Sequence, residues 1–110
     1  MRVRISTGAD GRAHMDELAE PIPAYQRGER SHAEGAESVV FLHHEGESES
    51  HNAPRRQYLF ILNGSLEFEV PSGDRRTFGP GDVVLVEDVT GEGHATRGTA
   101  DFAVVHLRGT

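Results

Sequence analysis

Short runs of alternating or wholly apolar residues, broken by glycine and proline, recur along the whole chain. Residues 1–6 alternate, with Val3 and Ile5 on one face, and predict a first strand. Residues 12–20 fit a short helix or a bent strand equally well. Residues 21–38 contain Pro21 and Pro23 and then many small and acidic residues, the composition of a surface loop. Residues 39–43 (VVFLH) predict a strand with His43 and His44 at its end on opposite faces, and 45–50 (EGESES) a solvated connection. A stretch from Tyr58 to Leu62 alternates aromatic and aliphatic residues. Asn63-Gly64 then carries a hairpin signal toward a partner strand at 65–70. Turns at 71–74 and 79–82 flank residues 75–78, and the β-branched run 83–87 predicts a strand buried on both faces. The glycine-containing loop 88–93 delivers His94. The last strand, 102–107, puts His106 on one face with Phe102 and Val104. About seven or eight short strands at this spacing, with little helix, predict an all-β roll or barrel.

The segment from His51 to Gly64 carries the chemistry. Gln57, Leu59 and Ile61 share one strand face and Tyr58, Phe60 and Leu62 the other, so both faces need covering by protein. Gln57 then points inward, toward the place that His51 approaches. The opposite face, Tyr58, Phe60 and Leu62, is a candidate homodimer surface.

A chain of 110 residues makes one domain. With 18 acidic side chains against 11 basic ones, and no clustered basic tract, nucleic acid is not an expected partner. The basic residues are all arginine, and Arg55-Arg56 can either hold a small anionic ligand or pair with Glu87, Asp88 or Glu92. The absence of cysteine removes disulfides, thiolate metal sites and thiol nucleophiles. No apolar run approaches the roughly 18 residues of a membrane span, and a cytoplasmic protein is expected. Seven histidines raise the prospect of a metal or acid–base site.

His51, Gln57, Gly64, Gly81-Asp82 and His94 together resemble the two motifs of the cupin superfamily, over residues 39–107. Anchored on Gly64, the first motif places its first histidine at His51, its second at Ala53 and its glutamate at Gln57. The second motif runs from Gly81-Asp82 to His94, with Glu87 at the usual proline. The resemblance implies a double-stranded β-helix, or jelly roll, spanning residues 1–110, with an N-terminal extension and loop at 1–38 ahead of the barrel core.

It also implies a metal position, here His51, Gln57 and His94, for Mn, Fe, Ni, Zn or Cu. One expectation is an internal small-molecule pocket lined by these residues. His51 and His94 would be its proton donor and acceptor, with Arg55 beside them. Arg56, Gln57, Tyr58, His43 and His106 would provide substrate contacts. A second is a metal-dependent oxygenase or isomerase acting on a small, partly apolar, anionic compound. A third is a dimeric structural or interaction domain.

Overall fold

The computed structural model describes residues 1–109 and is built almost entirely of strands. In chain order these are β1 (Arg2–Thr7), β2 (Ala13–Glu17), β3 (Ala36–His44), β4 (Glu47–His51), β5 (Gln57–Glu69), β6 (Arg75–Phe78), β7 (Val83–Val86) and β8 (His94–Leu107). A five-residue helix, α1 (Ile22–Gln26), lies between β2 and β3. The all-β expectation therefore holds, and the ambiguous residues around 13–17 are strand. Ala13 and Met15 turn inward there, with period two.

All eight strands belong to one sheet, ordered β2-β1-β7-β5-β8-β3, with β4 also on β8 and β6 also on β5. The sheet is not a closed cylinder, since its path begins at β2 and ends at β3. Its spine is the antiparallel pairing of β5 with β8, running from Gln57↔His106 to Glu69↔Ala95. β7 and β6 flank β5, while β3 and β4 flank β8.

The expected hairpin at Asn63-Gly64 is absent, and β5 runs straight through it. The pairing with β8 slips between Ile61 and Asn63, so the dipeptide marks a bend in a long strand. Gly64 has φ +76°, and a Cβ there would come within 2.2 Å of the Thr99 carbonyl oxygen. Only glycine permits that approach. Of residues 45–50, read as a connection, 47–50 belong to β4, because Glu47 and Ser48 pair with Arg97 and Thr96. Their side chains are mostly exposed, so the segment carries no apolar alternation to announce a strand.

The main core lies on one face of the sheet. Ile5, Leu59, Ile61, Leu66, Phe68, Phe78, Val84, Val86 and Val104 fill it. A second cluster on the outer surface joins Leu18, Tyr58, Val83, Leu85 and Leu107, with Ile22 and Phe60 packed against it. This cluster includes part of the expected dimer surface. The chain's own N-terminal segment covers Tyr58 and Phe60, and of the three residues only Leu62 is exposed. Tyr58 also donates its phenolic hydrogen to Glu34 Oε1 at 2.5 Å. Burial first, and then that hydrogen bond, push its pKa up. No helix among the described residues is long and apolar enough to cross a membrane.

Candidate functional site

Two histidines meet because two strands are in register. β4 pairs antiparallel with the start of β8, and His51 stands directly opposite His94. Cross-strand neighbours of this kind have Cβ atoms about 4.5–5.5 Å apart, and here the ring centres are 4.9 Å apart with planes tilted by 52°. The loop between Asp88 and Gly93 is pinned to β4. Ala53 N–H donates to the Asp88 carbonyl, and Asn52 Nδ2 donates to the carbonyls of Asp88 and Gly91. Gly93, at φ +77°, lies so close to His51 that a Cβ would be 2.3 Å from the His51 carbonyl oxygen. A side chain there would push the two strands apart.

Each ring is held by its Nδ1. His94 is 3 % exposed, and its Nδ1 lies 2.5 Å from Oδ2 of the fully buried Asp88. A carboxylate only accepts, so with Asp88 in that form His94 Nδ1 is the donor of this bond. The edge of Phe68, 5.5 Å away, supports the ring from another direction. His51 Nδ1 donates to the Glu49 carbonyl at 3.0 Å. In the neutral rings both Nε2 atoms are therefore acceptors. Gln57 Oε1 is buried with no hydrogen-bond partner among the described residues, and so is Asp88 Oδ1.

His51, Gln57 and His94 all line one cavity of about 400 Å³. The rest of its wall is mainly aliphatic and aromatic: Val40, Leu42, Leu59, Leu66, Phe68, Val86, Phe102 and Val104. Ser48, Thr96, His44 and His106 add polar points, and Ala53 occupies the wall where the second motif histidine would stand. Of the remaining sequence candidates, His106 lines the cavity with its Nδ1 2.8 Å from Ser38 Oγ.

His43 does not join this group. It is exposed between Asp101 (2.7 Å) and Glu45 (3.0 Å), and the hydrogen bond to Glu45 first, then that to Asp101, raises its pKa. His44 takes the inward position, sharing strand parity with Val40 and Leu42. Arg55 reaches out to Glu37 at 2.7 Å, and Arg56 pairs with Glu87. Tyr58 belongs to the outer cluster. Among the described residues no arginine lines the cavity, which removes the ground for expecting an anionic substrate. Asp88 is the component that sequence reading missed as a site residue. Its signal was an acidic residue just before the glycine loop that ends in His94.

Among the described residues no group of three or more His, Cys, Asp or Glu side chains is placed to hold a metal ion. The cavity wall as a whole offers the imidazoles of His44, His51, His94 and His106 and the amide oxygen of Gln57. No protein-family model matches the chain, and no curated protein matches it.

Proposed function

We propose that this chain is a cupin-type roll whose cavity binds a small, mainly apolar molecule through a pole of three acceptors: His51 Nε2, His94 Nε2 and Gln57 Oε1. The roll is supported by cavity walls drawn from β3, β4, β5, β7 and β8, so that one sheet curls around a single hollow. The observation that carries the ligand assignment is the unpartnered, buried Gln57 Oε1 in the same cavity wall as the paired rings of His51 and His94. A buried acceptor left unpaired costs about 1–3 kcal/mol, and a ligand O–H or N–H removes that cost. Phenols and alcohols on an apolar body fit this pole, whereas carboxylates meet acceptors and no arginine. Asp88 orients His94 so that its Nε2 can accept a proton from such a hydroxyl, with His51 close enough to share it.

A divalent ion is a second occupant of the same pole, favoured by the hydrogen bonds behind the rings. Metal-bound imidazoles characteristically donate their other N–H to a carboxylate or a carbonyl, as His94 does to Asp88 and His51 to Glu49. Two imidazoles sharing one ion, each at about 2.1 Å, have ring centres roughly 4.5–5.2 Å apart, a range that includes the observed 4.9 Å. His51, His94 and Gln57 would hold the ion, and with no carboxylate in the set the affinity is weaker than for a charged site. When bound, such an ion supplies Lewis-acid polarisation of a ligand oxygen.

The test is calorimetric titration of metal-free protein with phenols and with their methyl ethers, followed by Zn²⁺, Ni²⁺ and Mn²⁺. Phenols are expected to bind at least about tenfold more tightly than the ethers, equivalent to one hydrogen bond of about 1.4 kcal/mol. Gln57→Leu should shrink the difference, since one of the three acceptors is lost. Equal binding of phenols and ethers would remove the acceptor pole from the account, and failure of every metal to bind would remove the second occupant.

A further inference from the structure

β3 is the last strand on the sheet path, and among the described residues nothing pairs with its outer edge. It is also the most apolar exposed segment of the chain, with Phe41 74 % exposed and Val39, Val40 and Leu42 exposed beside it. Sheet edges of this kind are normally blunted by lysine, proline or a short length. Beyond a bulge at Glu37, β3 has none of these protections. The cavity is open on the same side. Val40 and Leu42 line it yet are 36 % and 46 % exposed, while Val104, the β8 partner of Val40, is 2 % exposed. The wall that β3 provides is complete toward β8 and bare on its other flank.

The strand is self-complementary. Placed antiparallel to itself with Val40 opposite Val40, it sets Val39 against Phe41, Ser38 against Leu42 and Glu37 against His43. Two apolar pairs then flank the centre, and an acidic–basic pair closes each end. A shift of two residues in one direction puts Glu37 opposite Glu45, a like-charge pair. The opposite shift puts Glu37 against Phe41. Only the central register satisfies both charge and hydrophobicity, and a twofold axis generates it from one surface.

We infer that β3 pairs with β3 of a second copy across a twofold axis at Val40, extending the sheet into the partner and walling the open flank of each cavity. The pairing stands independently of what the cavity binds. It differs from the Tyr58–Phe60–Leu62 face expected from the sequence, of which Tyr58 and Phe60 pack with Leu18 and Ile22 of the same chain.

The chain contains no cysteine, so a single introduced thiol reports the register. Residues directly opposite in an antiparallel pair have Cα atoms about 4.5–5.5 Å apart, within the roughly 4.4–6.8 Å that a disulfide spans. Val40→Cys is therefore expected to give a covalent dimer under mild oxidation. Leu42→Cys is not, because its two copies lie four residues out of step, about 13–14 Å apart.

In sedimentation, the unmodified chain is expected to be dimeric at micromolar concentration. Phe41→Glu, a change at an exposed position outside the cavity wall, is expected to raise the dimer dissociation constant at least about tenfold while leaving the thermal melt of the fold in place. Three results would each overturn the assignment. They are a monomer at submillimolar concentration, a dimer indifferent to Phe41→Glu, and equal cross-linking of Val40→Cys and Leu42→Cys. Should Phe41→Glu fail to fold, the two cysteine variants still decide the register.

Discussion

Replacing Asp88 with alanine removes the partner of His94 at a place where two ionisable side chains meet inside the protein. Asp88 is fully buried, His94 nearly so, and their 2.5 Å hydrogen bond has no water-exposed alternative. Truncating Asp88 leaves the Nδ1–H of the neutral His94 ring buried and unpaired, at a cost of about 1–3 kcal/mol. Small domains have a total stability of only about 5–15 kcal/mol, so the loss is a sizeable fraction of the whole. At about 4–8 °C per kcal/mol for a chain of this order of size, the melting temperature should fall by roughly 4–24 °C.

Asp88→Asn separates charge from shape. Its amide oxygen can still accept from His94 Nδ1, while its NH₂ takes the place of Oδ1, which has no partner in the folded chain. The expected loss is that of one unsatisfied donor, about 1–3 kcal/mol. Urea denaturation of the three proteins, with unchanged slopes, gives both differences. A loss below about 1 kcal/mol in Asp88→Ala would refute the view that this pair anchors His94, since no buried unpaired group is that cheap.

Other consequences are open to equally direct checks. Gly64→Ala forces a Cβ against the Thr99 carbonyl at a left-handed φ and is expected to cost at least about 2 kcal/mol in chemical denaturation. Ala53→His adds an imidazole to the wall that carries His51 and His94 and should tighten Zn²⁺ or Ni²⁺ binding at least about tenfold by calorimetry. Burial pushes the Glu87 pKa up, but the hydrogen bonds from Arg4 and Arg56 outweigh it and hold the carboxylate below its ordinary value of 4.5. A depressed folded pKa stabilises fully above the unfolded value and is lost as pH falls through the folded one. The native protein should therefore lose stability on acidification below 4.5 more steeply than Glu87→Gln, as melts across that interval will show.

The parts of this molecule legible in its sequence are those where side-chain alternation and burial coincide. Gln57 and Leu59 on the cavity side, with Tyr58 and Phe60 outside, follow from strand parity alone, and so does the inward set Phe102, Val104 and His106. The meeting of His51 with His94 was an expectation from the resemblance to the cupin motifs. What failed has physical causes. Asn63-Gly64 carries the same local chemistry whether a strand reverses or bends, and only the long partner β8 decides for bending.

The choice between His43 and His44 was ambiguous because β3 is apolar on both faces, so neither parity announces the interior. Glu87 and Asp88 were grouped as partners for Arg55 and Arg56. In the fold the two acids point to opposite fates, Glu87 to the Arg4 and Arg56 guanidiniums and Asp88 into the core against His94. β7 is buried on both faces, and its pattern gives no hint of that divergence.

The central claim is that His51 and His94 present their Nε2 atoms, together with Gln57, to one occupant. Long-range ¹⁵N–¹H NMR of the histidine rings tests it most directly, read before and after addition of a phenol and then of Zn²⁺. Both rings should start with the proton on Nδ1, and both Nε2 resonances should move together with either occupant while those of His43 and His14 stay in place. Nε2-protonated rings at the outset, or a response from only one of the two, would contradict a shared site.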